Sequence, residues 1–571
     1  MAPPATAPYD WILAITSIAF TFSAFGNGAN DVANSFATSV AARTLTMAQA
    51  GLISMVTEFV GAVALGSRVT STIKNGIFSI DHFNDRPGAL MVVMGCAEIG
   101  SATWLMVASG FGMPVSTTHT IVGALTGAGI ASQASIKWSW QSGSLSQIAA
   151  SWAIAPILAG CFSAIIFASL KYTVLERKES LKWAMRLIPL YIAFTASILA
   201  LFIVIELPTA PSLEEFGAGK AVGIILGVFF GVLVIAMVFF KPYFYRRIIR
   251  QDSRIKYWHL PLGPLLWRDN APLYFPGQVD GEYVKDYYAD PYQNATYPSP
   301  PIQAIDQEET LEKAANTVDP GDQAQSSDRT IRNELEATRA MSPVSPRQRF
   351  LDPVSHLKIT HPRRLFGYIK FILLQGVTRD CVTHDSTSLR DVHARASKYD
   401  IRVEHLWTYC QVASAMIMSI AHGSNDVANA VGPWAASYQT YKDGVVSTRS
   451  PTPVWFLVIA GFLLGAGFWF YGFHVVRSLG NKITRMSPTR GYSVELGAAI
   501  TVLLASRLSL PVSTTQCLTG SVLGVALMNF DLRATNWKQV AFIFSGWVLT
   551  LPCSGLISGL LCVMALNAPS L

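Results

Sequence analysis

Gly26-Asn27-Gly28-Ala29-Asn30-Asp31-Val32-Ala33-Asn34 returns later in the chain as Ala421-His422-Gly423-Ser424-Asn425-Asp426-Val427-Ala428-Asn429. Each copy interrupts an apolar stretch. Residues 11–30 carry no formal charge before Asp31, and 32–42 carry none after it. Residues 406–425 and 427–441 frame Asp426 in the same way. An Asp at the centre of a membrane-length segment costs about 2.5–3.5 kcal/mol on insertion scales. Two such acids, each beside an Asn and a helix-loosening Gly, mark a site.

The surroundings set the class. Of 571 residues, 51% are hydrophobic and only 14% charged, where ordinary soluble domains carry about 25% charged residues. The apolar residues fall in runs too long for core helices. About twelve transmembrane segments follow: 11–42, 46–68, 88–110, 113–136, 146–170, 187–205 and 221–240, then 406–441, 452–476, 491–508, 510–530 and 538–567. The chain reads as an all-α polytopic membrane protein. Residues 1–172 form an N-terminal transmembrane repeat, 173–244 two connecting helices, 245–404 a polar insert, and 405–571 a C-terminal repeat. Residues 88–136 require two spans or a re-entrant hairpin. The net charge of +7 reflects connections between spans and calls for no nucleic acid. Cys96, Cys161, Cys381, Cys410, Cys517, Cys553 and Cys562 lack metal-ligand spacing and read as small packing residues. Residues 1–10 lack a basic n-region, so the first span is expected to act as its own targeting signal.

Basic residues choose the orientation. Lys171, Arg177, Lys178, Lys182 and Arg186 follow segment five, and Lys241, Arg246, Arg247, Arg250 and Arg254 follow segment seven. Arg477, Lys482, Arg485 and Arg490 follow segment nine; Arg533 and Lys538 follow segment eleven. With alternating segments all four groups share one side, opposite Glu206, Glu214 and Glu215. The insert 245–404 is therefore expected in the cytosol and both termini outside. Arg68, Lys74 and Arg86 and the sequon at Asn294 count against this orientation. The insert is rich in Pro, Asp, Gln and Ser from Gln251 to about Arg349 and reads as largely disordered. Ser342 and Ser345, each before a Pro and near Arg, are candidate regulatory phosphorylation sites. Residues 361–404 have an amphipathic pattern suited to the inner membrane face.

A second phrase is also duplicated. Gly112-Met113-Pro114-Val115-Ser116-Thr117-Thr118-His119 returns as Ser509-Leu510-Pro511-Val512-Ser513-Thr514-Thr515-Gln516. Asn30 and Asn425 are 395 positions apart; Ser116 and Ser513, and also Glu98 and Glu495, are 397 apart. One order at nearly one spacing is an internal duplication. Seven segments separate the two starts. Seven is odd, so the second five-segment half enters the membrane inverted, the usual build of secondary transporters with a site where the repeats meet.

The phrases supply that site's chemistry. Gly26 and Gly28 disfavour continuous helix, and Asn30 and Asp31 are good N-cap residues. Pro114 and Pro511 suit a first helical turn that would also hold the Ser-Thr-Thr triplets. Four half-helix starts, two per repeat, are expected to present N–H and hydroxyl donors to one oxyanion. No Arg or Lys accompanies them, so the anion can also leave. Asp31 and Asp426 would repel an anion and suit a hard cation travelling with it, either Na⁺ or H⁺. Glu58, Glu98 and Glu495 are further intramembrane acids that either bind the cation or pack through hydrogen bonds. A hydrolase using Ser116 or Ser513 with His119 is set aside, because Gln516 stands where the second copy would need a base. No catalytic residues are assigned.

The doubled Asn-Asp-Val-Ala-Asn and Pro-Val-Ser-Thr-Thr phrases resemble the inorganic phosphate transporter (PiT) family. The resemblance covers nearly all the chain outside the insert. The long central insert is similar to that of eukaryotic members, and the whole pattern to fungal plasma-membrane sodium-coupled phosphate symporters. The resemblance implies secondary active import of inorganic phosphate across the plasma membrane, driven by a sodium gradient. It also implies twelve segments in two inverted halves, often a homodimer, and no cofactor beyond co-transported Na⁺. Asn34, Ser116, Thr117, Thr118, Asn429, Ser513, Thr514 and Thr515 are then expected to bind phosphate. Asn30, Asp31, Asn425, Asp426, Glu58, Glu98 and Glu495 are expected to bind or couple sodium. His119 and His422 break the symmetry and receive no role. Two other readings stay open: a proton-coupled phosphate or sulfate permease of the same fold, and a phosphate-sensing transporter-receptor that signals through its insert.

Overall fold

A computed structural model of the chain describes residues 9–140, 144–206, 217–279, 283–288, 345–383, 386–447 and 452–568. Among these residues there are helices and turns but no strand, apart from one isolated bridge between Phe78 and Ile136. The first half holds α1 (Asp10–Asn30), α2 (Val32–Ala41), α3 (Met47–Leu65), α4 (Ser67–Asn75), α5 (Pro87–Gly110), α6 (Thr117–Ala131) and α7 (Leu145–Leu170). The connecting pair is α8 (Ser180–Glu206) and α9 (Ala218–Ile235). Two short helices follow, α10 (Pro362–Leu374) and α11 (Thr387–Arg395). The second half holds α12 (Ile401–Asp443), α13 (Val454–Tyr471), α14 (Phe473–Leu479), α15 (Pro488–Arg507), α16 (Thr514–Leu527) and α17 (Trp537–Asn567). Each of the twelve apolar segments contains a helix. Eight helices among the described residues are long and apolar enough to cross a membrane.

Local chemistry explains the boundaries. Thr46 and Gln49 form a capping box at the start of α3, and Gly444, at φ +71°, closes α12 in the left-handed conformation that glycine adopts without strain. The stretch 88–136 resolves into a 24-residue helix and a 15-residue one. At 1.5 Å per residue the latter spans roughly 22 Å, short of the roughly 30 Å hydrocarbon core. Its repeat, α16, has 14 residues.

The packing repeats as the sequence does. α1 lies on α5 as α12 lies on α15; α3 lies on α12 as α13 lies on α1. The arms cross: α6 packs on α17 and α16 on α7. Small residues allow these crossings, because helices in lipid associate through close backbone approach and interhelical hydrogen bonds. A Cβ on Gly127 would collide with the Gly555 carbonyl, and one on Gly524 with the Gly160 carbonyl. Ser521 Oγ donates to the Ala159 carbonyl at 3.1 Å, Ser163 Oγ to that of Ser521 at 2.9 Å, and Ser558 Oγ to that of Ala124.

The duplicated Asn-Asp phrases are not the half-helix starts that the sequence suggests. Asp31 separates α1 from α2 but keeps helical angles (φ −93°, ψ −30°), donates its N–H to the Asn27 carbonyl at 2.8 Å, and caps nothing with its side chain. The second phrase lies inside the uninterrupted 43-residue α12. Here glycine serves close packing. A Cβ on Gly28 would strike the Leu464 carbonyl, and one on Gly423 would sit 2.6 Å from the Glu58 carbonyl. Two of the four expected starts remain, at α6 and α16.

The described residues form two compact units, Met1–Tyr287 with Gly376–Leu571, and Tyr288–Gln375. The insert is thus ordered further than its composition suggests. Residues 251–279 belong to the first unit, where Tyr257–Trp267 forms short helical turns. Buried Arg246 holds them, donating to the carbonyls of Leu266, Arg268 and Asp269 and pairing with Asp252 at 3.2 Å. α11 also belongs to the first unit: Leu389 and Val392 are buried, and the His393 ring meets the Asn481 carbonyl at 2.7 Å. In the second unit, α10 keeps the amphipathic pattern, with Leu365, Phe366, Ile369, Ile372 and Leu373 exposed. Ser345 caps Pro346–Phe350 by accepting from Gln348 N–H. Ser342, the sequon at Asn294, and Glu214 and Glu215 lie outside the described residues.

Candidate anion and cation site between the repeats

The site is assembled from the bends before α6 and α16. Gly112 (φ +64°) and Ser509 (φ +54°) turn the chain. Pro114 and Pro511 then lie in extended backbone ahead of each helix, not in its first turn. Ser116 and Ser513 are the N-caps, accepting from His119 N–H at 3.1 Å and Gln516 N–H at 3.2 Å. Thr117, Thr118, Thr514 and Thr515 occupy the first turns and are fully buried.

The two carboxylates sit directly against these turns. Asp31 accepts from the Thr117 hydroxyl at 2.6 Å and its N–H at 3.2 Å, from the Thr515 hydroxyl at 2.7 Å and from Asn34 Nδ2 at 3.1 Å. Asp426 accepts from the Thr514 hydroxyl at 2.7 Å and Asn429 Nδ2 at 3.3 Å. The pairing is reciprocal across the repeats. Asn34 donates to Thr515 Oγ1 at 2.8 Å, and Asn429 to Thr118 Oγ1 at 3.2 Å. Thr118 donates to the Val512 carbonyl and Thr515 to the Val115 carbonyl, each at 3.0 Å. Asn30 donates to Ser109 Oγ and the Met113 carbonyl; the Asn425 amide lies against Ser506 Oγ and the Leu510 carbonyl. These two Asn side chains tie each helix to its own bend.

Hard-cation ligands are oxygens without competing donors. Besides the two carboxylates, Asn27 Oδ1, Asn34 Oδ1 and Asn429 Oδ1 are buried with no hydrogen-bond partner. Asp31, His422 and Asp426 each place one ligand atom within 4.8 Å of the others. The structure therefore brings Asn30, Asp31, Asn34, Asn425, Asp426, Asn429 and both Ser-Thr-Thr triplets into one buried cluster.

The glutamates surround this cluster on different terms. Glu58 accepts from Ser419 Oγ at 2.6 Å and lies 2.7 Å from His422 Nδ1. The other ring nitrogen of His422 lies 3.0 Å from Asp426. Glu495 accepts from Thr38 and Ser39 hydroxyls, each at 2.6 Å, from Ser414 Oγ at 2.7 Å and from Gln411 Nε2 at 3.4 Å. Glu98 is fully buried, and among the described residues the Ser23 hydroxyl is the one donor beside it.

Sequence reasoning missed two participants. Asn27 donates to the Asp426 carbonyl at 2.8 Å, linking the halves. His422 bridges Glu58 and Asp426. Their signal was the substitution of one for the other between the two copies, which marked a difference without giving its use. His119 stays apart, its ring 4.1 Å from that of Trp152.

Duplicated halves, crossing arms and a buried cluster of carboxylates, amides and helix-start hydroxyls define a carrier-type membrane protein. The chain belongs to the phosphate transporter family, whose pattern matches residues 27–558. It is 37% identical over 98% of both chains to the phosphate-repressible phosphate permease pho-4 of Neurospora crassa. It is 26% identical to the sodium-dependent phosphate transporter 1 of Mus musculus, over 98% of this chain and 96% of that one. A solved structure described as the sodium-dependent phosphate transporter aligns with a TM-score of 0.62 at 25% identity, covering 97% of this chain and 99% of that chain.

Proposed function

We propose that this chain is a secondary active symporter that imports inorganic phosphate across the plasma membrane, driven by a sodium gradient. The observation that carries the reading is that Asp31 and Asp426 accept from threonines at the helix starts while Asn34 and Asn429 reach those threonines across the repeats. Donors and carboxylates alternate there. Phosphate takes the donors of Asn34, Ser116, Thr117 and Thr118 and of Asn429, Ser513, Thr514 and Thr515, while Na⁺ takes the carboxylates and free amide oxygens. Each substrate frees the groups that the other needs: a cation beside Asp31 releases the Thr117 and Thr515 hydroxyls to the anion. Asn30 and Asn425 hold the bends, and Glu58, Glu98 and Glu495 couple cation occupancy to the surrounding helices. Uptake of labelled phosphate into vesicles of the purified chain tests this, with a Na⁺ gradient set against a pH gradient. Uptake that ignores Na⁺ would refute sodium coupling.

His422, held between Glu58 and Asp426, favours a second reading, proton-coupled phosphate transport by the same fold. The pH-gradient arm decides between the two, and sulfate competition tests the anion.

The basic residues near the starts and ends of α8, α9, α15 and α17 support a membrane orientation with residues 245–404 in the cytosol and both termini outside. The exposed apolar face of α10 is suited to lie on a lipid surface. A homodimer follows from the family resemblance, and crosslinking in native membranes tests it. Ser342 and Ser345 are proposed as phosphorylation sites that adjust activity through the insert. Deletion of 289–344, which spares the segment held by Arg246, should leave uptake largely intact if transport is the main task, and should abolish only the phosphate response if signalling is.

A further inference from the structure

Far from the substrate cluster, a cavity of about 670 Å³ opens where α8 begins and the helical run after α9 ends. Five cations line it: Lys178, Lys182, Arg186, Lys241 and Arg402. Its two acids are already engaged, Glu179 with Lys182 at 2.7 Å and Asp400 with Arg402 at 2.6 Å. Lys178 and Lys241 form no salt bridge among the described residues, and the Arg186 guanidinium lies over the Trp183 ring at 5.4 Å. Three positive charges thus converge on one concavity without a matching anion.

The remaining wall is apolar, with Leu181, Met185 and Ile249. Trp267 in its wall and Trp183 beneath Arg186 are both exposed. Exposed Trp at the ends of apolar helices marks a membrane–water boundary. Beyond it, α9 is the most lipid-facing of the apolar helices, with Val222, Leu226, Phe230 and Val234 exposed. Basic pockets between transmembrane helices at this level are suited to phosphorylated lipid headgroups.

We propose that this cavity binds the phosphorylated headgroup of an anionic phospholipid. Lys178, Arg186 and Lys241 receive the phosphate esters, and the acyl chains run along the outer faces of α8 and α9. A soluble phosphate ester shares the headgroup chemistry, but it would leave the apolar wall and the exposed Trp267 without a partner. The proposal rests on reading these helix ends as a membrane boundary. It does not depend on which ion drives transport.

The test uses the purified full chain in phosphatidylcholine nanodiscs containing fluorescent phosphatidylinositol 4,5-bisphosphate, with retained lipid counted after dilution. Lys178→Gln/Arg186→Gln/Lys241→Gln should weaken retention about tenfold or more, since each interfacial cation contributes to anionic-lipid attraction. Lys178→Arg/Lys241→Arg should retain the lipid as the wild type does, and Lys241→Gln alone should lower retention severalfold. Equal retention by the triple variant would overturn the site. Displacement of the lipid by equimolar inositol 1,4,5-trisphosphate would overturn the lipid as occupant.

Discussion

Glu98 and Glu495 occupy matching positions in the two halves and live in opposite surroundings. Glu495 is held by four donors, two of them from α2 in the other half. Glu98 has only the Ser23 hydroxyl beside it among the described residues. The same divergence separates Asn27, an amide linking the halves, from His422, an imidazole between two carboxylates. Duplication copied the fold and the central cluster, while the shell around the cluster was divided between tasks. The first half carries a carboxylate with room for a partner, and the second carries carboxylates already committed to protein donors. A buried carboxylate with so few donors is costly to keep charged, and we propose that Glu98 takes up the cation or a proton.

The largest effect should come from the acids that both halves share. Asp31→Asn and Asp426→Asn should each remove most phosphate uptake and its Na⁺ dependence, with normal amounts of protein in the membrane. Unchanged Na⁺-driven uptake in both would remove the cation-ligand role. The glutamates should then separate the halves. Glu495→Gln should lower stability by about 2 kcal/mol, because a charged acceptor of several hydrogen bonds is lost, and thermal unfolding in detergent measures this. Glu98→Gln should leave the melting temperature unchanged or higher while shifting the Na⁺ concentration that half-activates uptake. Equal behaviour of the pair would erase the proposed division.

Finer comparison comes from the threonines. Thr515 donates to Asp31 and to the Val115 carbonyl, whereas Thr118 donates only to the Val512 carbonyl. Thr515→Val should therefore raise the phosphate KM severalfold, and more than Thr118→Val does. The smallest effects should be those of Ser116→Ala and Ser513→Ala. Each should cost about 1 kcal/mol of stability as a lost N-cap, equally in both halves, as read from paired unfolding curves.

Much of this was legible in the chain itself. Repeated phrases gave the duplication, and Pro-Val-Ser-Thr-Thr gave the two helix starts to within a few residues, although Ser proved to be the cap and Pro to lie ahead of the first turn. The continuity of α12 was not legible. Glycine weakens a helix by itself, but the backbone approach that Gly423 makes to Glu58 belongs to a helix far away in sequence. The same limit hid the partners of Glu495. Thr38 and Ser39 lie more than 450 positions from it, and no spacing rule reaches across such a gap.

The crossing arms also bear on how the protein is made. α6 and α7 find glycine-lined partners on α17 and α16, helices made long after them. During synthesis the first half must wait in the bilayer with those faces open, through the whole insert and most of the second half. Truncations that remove α16 and α17 should therefore damage α6 and α7 as much as the missing helices, making the synthesis of that late pair the step that commits the chain to survival or degradation.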